Sequence, residues 1–301
     1  MSKLGIIAGN GVFPLEVAAA ARRHGYAVIA VAHRGETDER LAALCEEITW
    51  IRVGELQTMI DAFKHAGVTE AAMAGGIARA RLGDSFAPDA RAIAMLARVG
   101  RFSDDALLRA VAAEIESDGI AMIDPVPMLD DALAGLGRMA GPEPSAAQLK
   151  DLRLAFGVMR ALGGFDVGQA AAVRDGVVGA VEAIEGTDAA LRRAAALCGR
   201  GLVVAKAAKP GQDLRFDRPA IGPATIELLS EIGAAMIGVE AGQALILERA
   251  RMLAAAASAG ITVWGDAGER SGKRRGDPGA ESDAESDAKS EAESEAESED
   301  G

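Results

Sequence analysis

Between residues 3 and 74 the chain repeats one pattern: a short apolar run, a turn, then a helix-length stretch with apolar residues three or four apart. Runs over 3–8, 27–32, 48–53 and 70–74 have the length of strands. The stretch after Gly11 ends at Gly25, and the one over 56–65 ends at Gly67. Strands that alternate with helices of this length pack as a parallel sheet with helices on its faces. Further helices are predicted over 90–97 and 106–116.

The composition changes over 124–144, where Pro125, Pro127, Pro142 and Pro144 interrupt any period. A linker is predicted there. Beyond it, 146–162 reads as a helix. Two apolar runs, 169–173 and 177–183, flank Arg174-Asp175-Gly176, and Asp-Gly between such runs signals a hairpin. Helices are expected over 188–197 (capped by Thr187 or Asp188), 224–232 and 249–259, and strands over 202–205, 235–239, 244–247 and 261–264. The expected fold class is α/β, with two domains. Residues 1–130 form a Rossmann-like parallel sheet and 145–265 a mixed α/β domain.

Residues 266–301 are different. They hold 13 acidic and 5 basic side chains, against 32 and 27 in the preceding 265 residues. Their Ser/Ala/Glu repeats contain too little apolar surface to offset the entropy of ordering, so a disordered acidic tail is expected. The net charge of -13 therefore belongs largely to this tail, and the mildly acidic body disfavours nucleic acid as a partner. With aromatics at only 3%, base-stacking platforms are also improbable. No apolar run reaches the 18 residues of a spanning helix, and Met1–Ile7 is too short for a signal peptide. Cys45 and Cys198 are isolated thiols, which fits a reducing cytoplasm rather than a disulfide framework or a zinc site.

Several clusters could carry chemistry. Gly9-Asn10-Gly11 sits where a strand meets a helix, a place suited to phosphate. It is either a plain tight turn or an anion loop. Pro14 stands where a dinucleotide fingerprint wants glycine, and the second strand leads to His33-Arg34 rather than to an acidic residue, which weakens an oxidoreductase reading. Gly75-Gly76 breaks the fourth strand, and Gly75 joins the candidate substrate contacts. Asp104 and Asp105, one turn before Arg109, either cap a helix or address a metal or sugar. Glu182, Glu185, Thr187 and Asp188 crowd one strand-to-helix turn and could hold a polyol, a phosphate and a cation together.

The densest cluster is Lys206-x-x-Lys209-Pro-Gly-Gln212-Asp213-Leu-Arg215-Phe-Asp217-Arg218-Pro-Ala-Ile-Gly222. Lysine and arginine suit phosphate oxygens, and aspartate suits Mg²⁺. An ordinary exposed loop is the alternative. The three histidines are scattered, and no HExxH, GxSxG or Walker motif occurs.

Taken together, Leu4–Pro14, Asp104–Arg109, Asp166-x-Gly-Gln169, Ala180–Arg193 and Lys206–Gly222 resemble, in order over residues 3–264, the LpxI-type UDP-2,3-diacylglucosamine pyrophosphatases. Ser103 departs from the glycine expected at its position. The resemblance implies Mg²⁺-dependent hydrolysis of UDP-2,3-diacylglucosamine to UMP and 2,3-diacylglucosamine 1-phosphate (lipid X), in lipid A synthesis. It implies Asp217 as the essential acid. Asp213 would be a second metal ligand, and Lys206, Lys209 and Arg215 would stabilise charge. Gln169, Gln212, Thr187, Asp188 and Glu185 would serve as substrate contacts with Gly9, Asn10, Gly11, Gly75, Asp104 and Asp105. A cytoplasmic homodimer in transient contact with the inner membrane is the expected setting. A lipid- or nucleotide-sugar-binding regulator without turnover is the rival reading.

Overall fold

A computed structural model describes residues 2–77, 86–100 and 104–268. The acidic tail from 269 onward and Ser103 lie outside the described residues. Sheet one contains β1 (Lys3–Ala8), β2 (Ala27–His33), β3 (Glu47–Ile51), β4 (Glu70–Ala74) and the two-residue β5 (Ala121–Met122), in the order β3-β2-β1-β4-β5 and all parallel. The reason lies in the residues. β2 is buried along its whole length and β1 along nearly all of it, as strands covered on both faces must be.

Helices α1 (Phe13–Arg23), α2 (Leu56–Ala66), α3 (Ala90–Arg98) and α4 (Asp104–Ser117) supply those faces. One core gathers Leu4, Ile6, Val17 and Val28 under α1; the other gathers Ile7, Ile60, Phe63 and Ile115 under α2 and α4. Pro14, the residue that spoils a dinucleotide fingerprint, falls in the first turn of α1, where its missing N–H costs nothing.

Sheet two is mixed: β6 (Gly137–Ala140), β7 (Ala170–Arg174), β8 (Val177–Val181), β9 (Val203–Lys206), β11 (Met236–Glu240) and β13 (Thr262–Asp266), in the order β6-β13-β11-β9-β7-β8. β9, β11 and β13 run parallel, and β6, β7 and β8 are antiparallel to their neighbours. Helices α5 (Ala146–Gly163), α6 (Thr187–Cys198), α7 (Pro223–Glu231) and α8 (Arg249–Ala259) cover it. A small two-strand sheet joins β10 (Ala220–Ile221) to β12 (Leu245–Ile246).

Two expectations are corrected. The proline-rich stretch 124–144 is not a plain linker: Val126–Met128 form a 3₁₀ turn, and β6 pairs with β13. Its four residues are too few and too mixed for a period to emerge from sequence. The cap of α6 is Gly186, with no side-chain cap bond, rather than Thr187 or Asp188.

The Asp175-Gly176 hairpin forms as expected, with both residues at positive φ. Its hidden support is Asp151 of α5, a buried carboxylate that accepts the backbone N–H of Asp175 and of Gly176, both at 2.8 Å. A buried acceptor with two donors is costly to delete, because the donors are then left unpaired. Asp151→Ala should lower unfolding free energy by about 2–4 kcal/mol, measured by chemical denaturation, while the folded fraction keeps its specific activity.

Candidate active site

In an open α/β sheet, ligands bind beyond the carboxyl ends of the strands where the strand order reverses. Here that point lies between β1 and β4, and the segments that follow the two strands are Gly9-Asn10-Gly11 and Gly75-Gly76. They pack backbone to backbone. Asn10 N–H donates to the Gly76 carbonyl at 2.7 Å, and Gly9 N–H to Ala74 at 2.8 Å. A Cβ on Gly9 would lie 2.3 Å from the Gly76 carbonyl oxygen, and one on Gly75 would lie 2.3 Å from that of Asn10. Only glycines allow this approach.

The segment after β2 braces the same loop. His33 Nδ1 and Thr37 Oγ1 both lie against the Ala8 carbonyl, at 2.9 and 2.6 Å, and Asn10 Nδ2 donates to Glu36 at 3.0 Å. A carbonyl only accepts, so Nδ1 carries the hydrogen; burial holds this histidine below its ordinary pKa. His33, Glu36 and Thr37 are not legible as site residues in the sequence. The sole signal there is a histidine at the end of an apolar strand.

Opposite this loop lies the segment between β9 and β10. Residues 209–212 make a turn, with Gln212 N–H donating to the Lys209 carbonyl at 3.1 Å. Pro210 and Gly211 (φ 78°) are its central residues, the composition of a type II turn. One helical turn follows, in which Phe216 and Asp217 donate to the Asp213 carbonyl. Phe216 is buried in the first domain, in the same core as Ile7 and Met73. The segment therefore belongs in sequence to the second domain and is anchored in the first.

Between the two lies a cleft of about 220 Å³. Asn10, Gly11, Val12 and Phe13 line one side with Gly75 and Gly76; Arg215, Asp217 and Arg218 line the other. The start of α1 has no side-chain cap, and Val12 and Phe13 there line the cleft.

Asp217 accepts hydrogen bonds from the amides of Gln169, at 2.9 Å, and Gln212. Burial is the main influence on its carboxyl and pushes it above the usual range. The nearby Asp104 carboxylate adds to the rise, and Gln169, Lys209 and Lys206 oppose it. Lys206 at the end of β9 is partly buried, donates to the Ala220 carbonyl at 3.1 Å, and is held below the ordinary lysine range by its desolvation. Glu182, Asp217 and Asp188 surround it closely enough to counter the shift. Lys209 pairs with Asp166.

Other expected residues hold different posts. Both oxygens of Asp213 face the Arg215 guanidinium, at 2.8 to 3.2 Å, with Arg109 3.7 Å away. Asp105 accepts the Asp213 N–H at 2.9 Å. Glu185 pairs with Arg193 of α6 and shapes its own turn. Thr187 opens α6. Arg218 belongs to the charged cluster read from the sequence, though the sequence assigns it no role of its own. It reaches Asp124 at 2.9 Å and the Gln243 carbonyl at 3.0 Å, and its buried Nε–H has no hydrogen-bond partner.

No group of three or more His, Cys, Asp or Glu side chains is arranged for a metal among the described residues. Mg²⁺ needs less than that: one or two protein carboxylates, completed by water and substrate phosphate. Asp217 could supply one such carboxylate, and Asp104, near enough to help raise its pKa, a second.

These features define a two-domain α/β protein in which a glycine loop at a sheet switch point faces a partly buried carboxylate–lysine cluster. Residues 3–132 match the model of the LpxI N-terminal domain and 135–264 that of the LpxI C-terminal domain. The chain belongs to the LpxI family. A curated relative from Caulobacter vibrioides, named UDP-2,3-diacylglucosamine pyrophosphatase LpxI, is 36% identical over 276 residues, which cover 88% of this chain and 98% of the relative.

Among solved structures, the ADP-bound biotin carboxylase domain of a thermophilic 2-oxoglutarate carboxylase aligns at 13% identity and TM-score 0.26, over 57% of this chain and 35% of the other. Pyruvate carboxylase from Rhizobium etli aligns at 12% and 0.25, over 57% and 14%. This chain spans about a third or less of those structures, and a likeness of that size carries no argument.

Thiol catalysis is disfavoured by environment. Burial pushes the Cys45 thiol up to about 11. Since the thiolate is the reactive form, native Cys45 should alkylate with iodoacetamide at pH 7.5 about a hundredfold more slowly than free cysteine. Peptide mass spectrometry over a time course checks this, and labelling at the free-cysteine rate would contradict it.

Proposed function

We propose that this protein hydrolyses the pyrophosphate of UDP-2,3-diacylglucosamine, releasing UMP and 2,3-diacylglucosamine 1-phosphate. Membership of the LpxI family and the curated relative support the reaction. The observation that carries the site is Asp217, a partly buried carboxylate near two lysines on the wall of a cleft whose opposite wall is a glycine loop.

In this reading the amides of Gly11, Val12 and Phe13, where the loop runs into α1, receive phosphate oxygens, while the Gly9 and Asn10 N–H groups hold the loop to the segment after β4. Lys206, Lys209 and Arg218 supply fixed positive charge where negative charge grows as the P–O–P linkage breaks, a role that preorganised charges fill without reorganisation. Gln169 and Gln212 orient the Asp217 carboxylate. Asp217 and Asp104 are the residues that would hold Mg²⁺. When bound, the ion would supply Lewis-acid charge to a phosphate oxygen. Asp213, whose oxygens both face Arg215, serves the loop rather than the ion.

No helix among the described residues is long and apolar enough to cross a membrane. The two acyl chains of the substrate support a cytoplasmic enzyme in transient contact with the inner leaflet. The expected homodimer is open to light scattering.

Two measurements test the reading. UMP release from UDP-2,3-diacylglucosamine should require Mg²⁺ and stop with EDTA; its persistence in EDTA would remove the metal. Asp217→Asn should lower turnover by at least about 10²–10³-fold with the fold intact, judged by circular dichroism. Undiminished hydrolysis by that variant would remove Asp217 from the chemistry, and binding of substrate without any UMP release by the wild type would favour a regulator.

A further inference from the structure

Helix α4 of the first domain grips the Asp217 segment of the second, through Asp105 and Arg109, which lie outside the cleft wall. Arg109 Nε donates to Asp105 at 2.6 Å, and its Nη2 donates to the Gly211 carbonyl, 102 residues away, at 2.7 Å. Its Nη1 lies 3.7 Å from Asp213. Asp105, held by that arginine, accepts the Asp213 N–H at 2.9 Å. Arg215, locked to Asp213 by its fork, reaches on to the Met122 carbonyl at 3.3 Å and to Glu116 of α4 at 3.9 Å. Thus the carbonyl at the type II turn, the amide that opens the next turn and the carboxylate below it all end on one helix face. Four residues after that amide comes Asp217.

We propose that Arg109, together with Asp105, is a positioning residue that fixes the register of segment 209–217 and so the placement of the Asp217 carboxylate. This rests on the function proposed above. A half-exposed arginine can act this way because its planar fork satisfies two fixed acceptors at once, which a lysine does not reproduce. Arg109 is absent from the cleft wall, so its removal should change turnover without changing substrate affinity. Displacing a catalytic group by as little as 1 Å can cost about 10²-fold.

The experiment compares wild type, Arg109→Ala, Arg109→Lys and Asp105→Asn, with Arg40→Ala as a control arginine on the surface. Amide hydrogen exchange of segment 209–217 is read without substrate, and kcat and KM for UDP-2,3-diacylglucosamine are read separately. Arg109→Ala should exchange that segment about tenfold faster. Its kcat should fall about 10–100-fold with KM and melting temperature little changed. Added guanidinium should restore part of the rate, Arg109→Lys should recover little, and Arg40→Ala should match wild type.

Unchanged exchange in Arg109→Ala overturns the proposal, as does a loss confined to KM, which would make Arg109 a direct substrate contact. If wild type itself releases no UMP, the functional reading fails, and exchange still decides whether the grip exists.

Discussion

Phe216 ties the two halves of the molecule together at the site. It sits between Arg215 and Asp217 in a segment of the second domain, yet its ring is buried in the core of the first. An apolar ring removed from water is held by contacts that no polar exchange with solvent can replace, and full burial of such a side chain is worth roughly 1.5–3 kcal/mol. That anchor brings the residue that follows it, Asp217, to face the glycine loop. Around the anchor, polar contacts set the finer register: Arg109 and Asp105 on one side, and Arg218 against Asp124 on the other. The cleft exists because one segment is shared between two folding units.

The electrostatics follow from the same arrangement. Burial makes charge expensive on either sign, so it lifts the Asp217 carboxyl and lowers the Lys206 amine. Each is among the groups that oppose the other's shift, so the two make an opposed pair of partly buried charges. A phosphate or a cation arriving there meets groups that water screens less than on an open surface, so charge interactions are stronger than in solvent. On the facing wall the order is set by backbone: Gly9 and Gly75 at the switch point, close enough that a side chain on either would collide, and the Ala8 carbonyl pinned by His33 and Thr37.

Much of the fold is legible in the order of residues. Strands β1, β2, β4, β7, β9 and β11 are continuous apolar runs, and a run buried on both faces needs no partner to be recognised. What escapes such a reading is short or composite: β5, β10 and β12 at two residues each, and β6 inside a proline-rich stretch where its apolar residues are too few for a period. In the site, the crowded segment from Lys206 to Gly222 announces itself by charge density, and its motif carries the family resemblance. The posts of individual residues do not follow. Asp213 and Arg215 look like catalytic groups and hold each other; Glu185 looks like a ligand contact and holds Arg193.

Apolar periodicity and a long charged motif are local properties of the chain. From them alone follow the two α/β units, the glycine turn at the end of the first strand and the family. Three pairings come instead from the packed molecule: Phe216 crosses into the other core, Arg109 meets the Gly211 carbonyl, and Asp104 comes near Asp217 across more than a hundred residues. Each depends on how two packed cores close against one another, and no spacing along the chain encodes a distance through space.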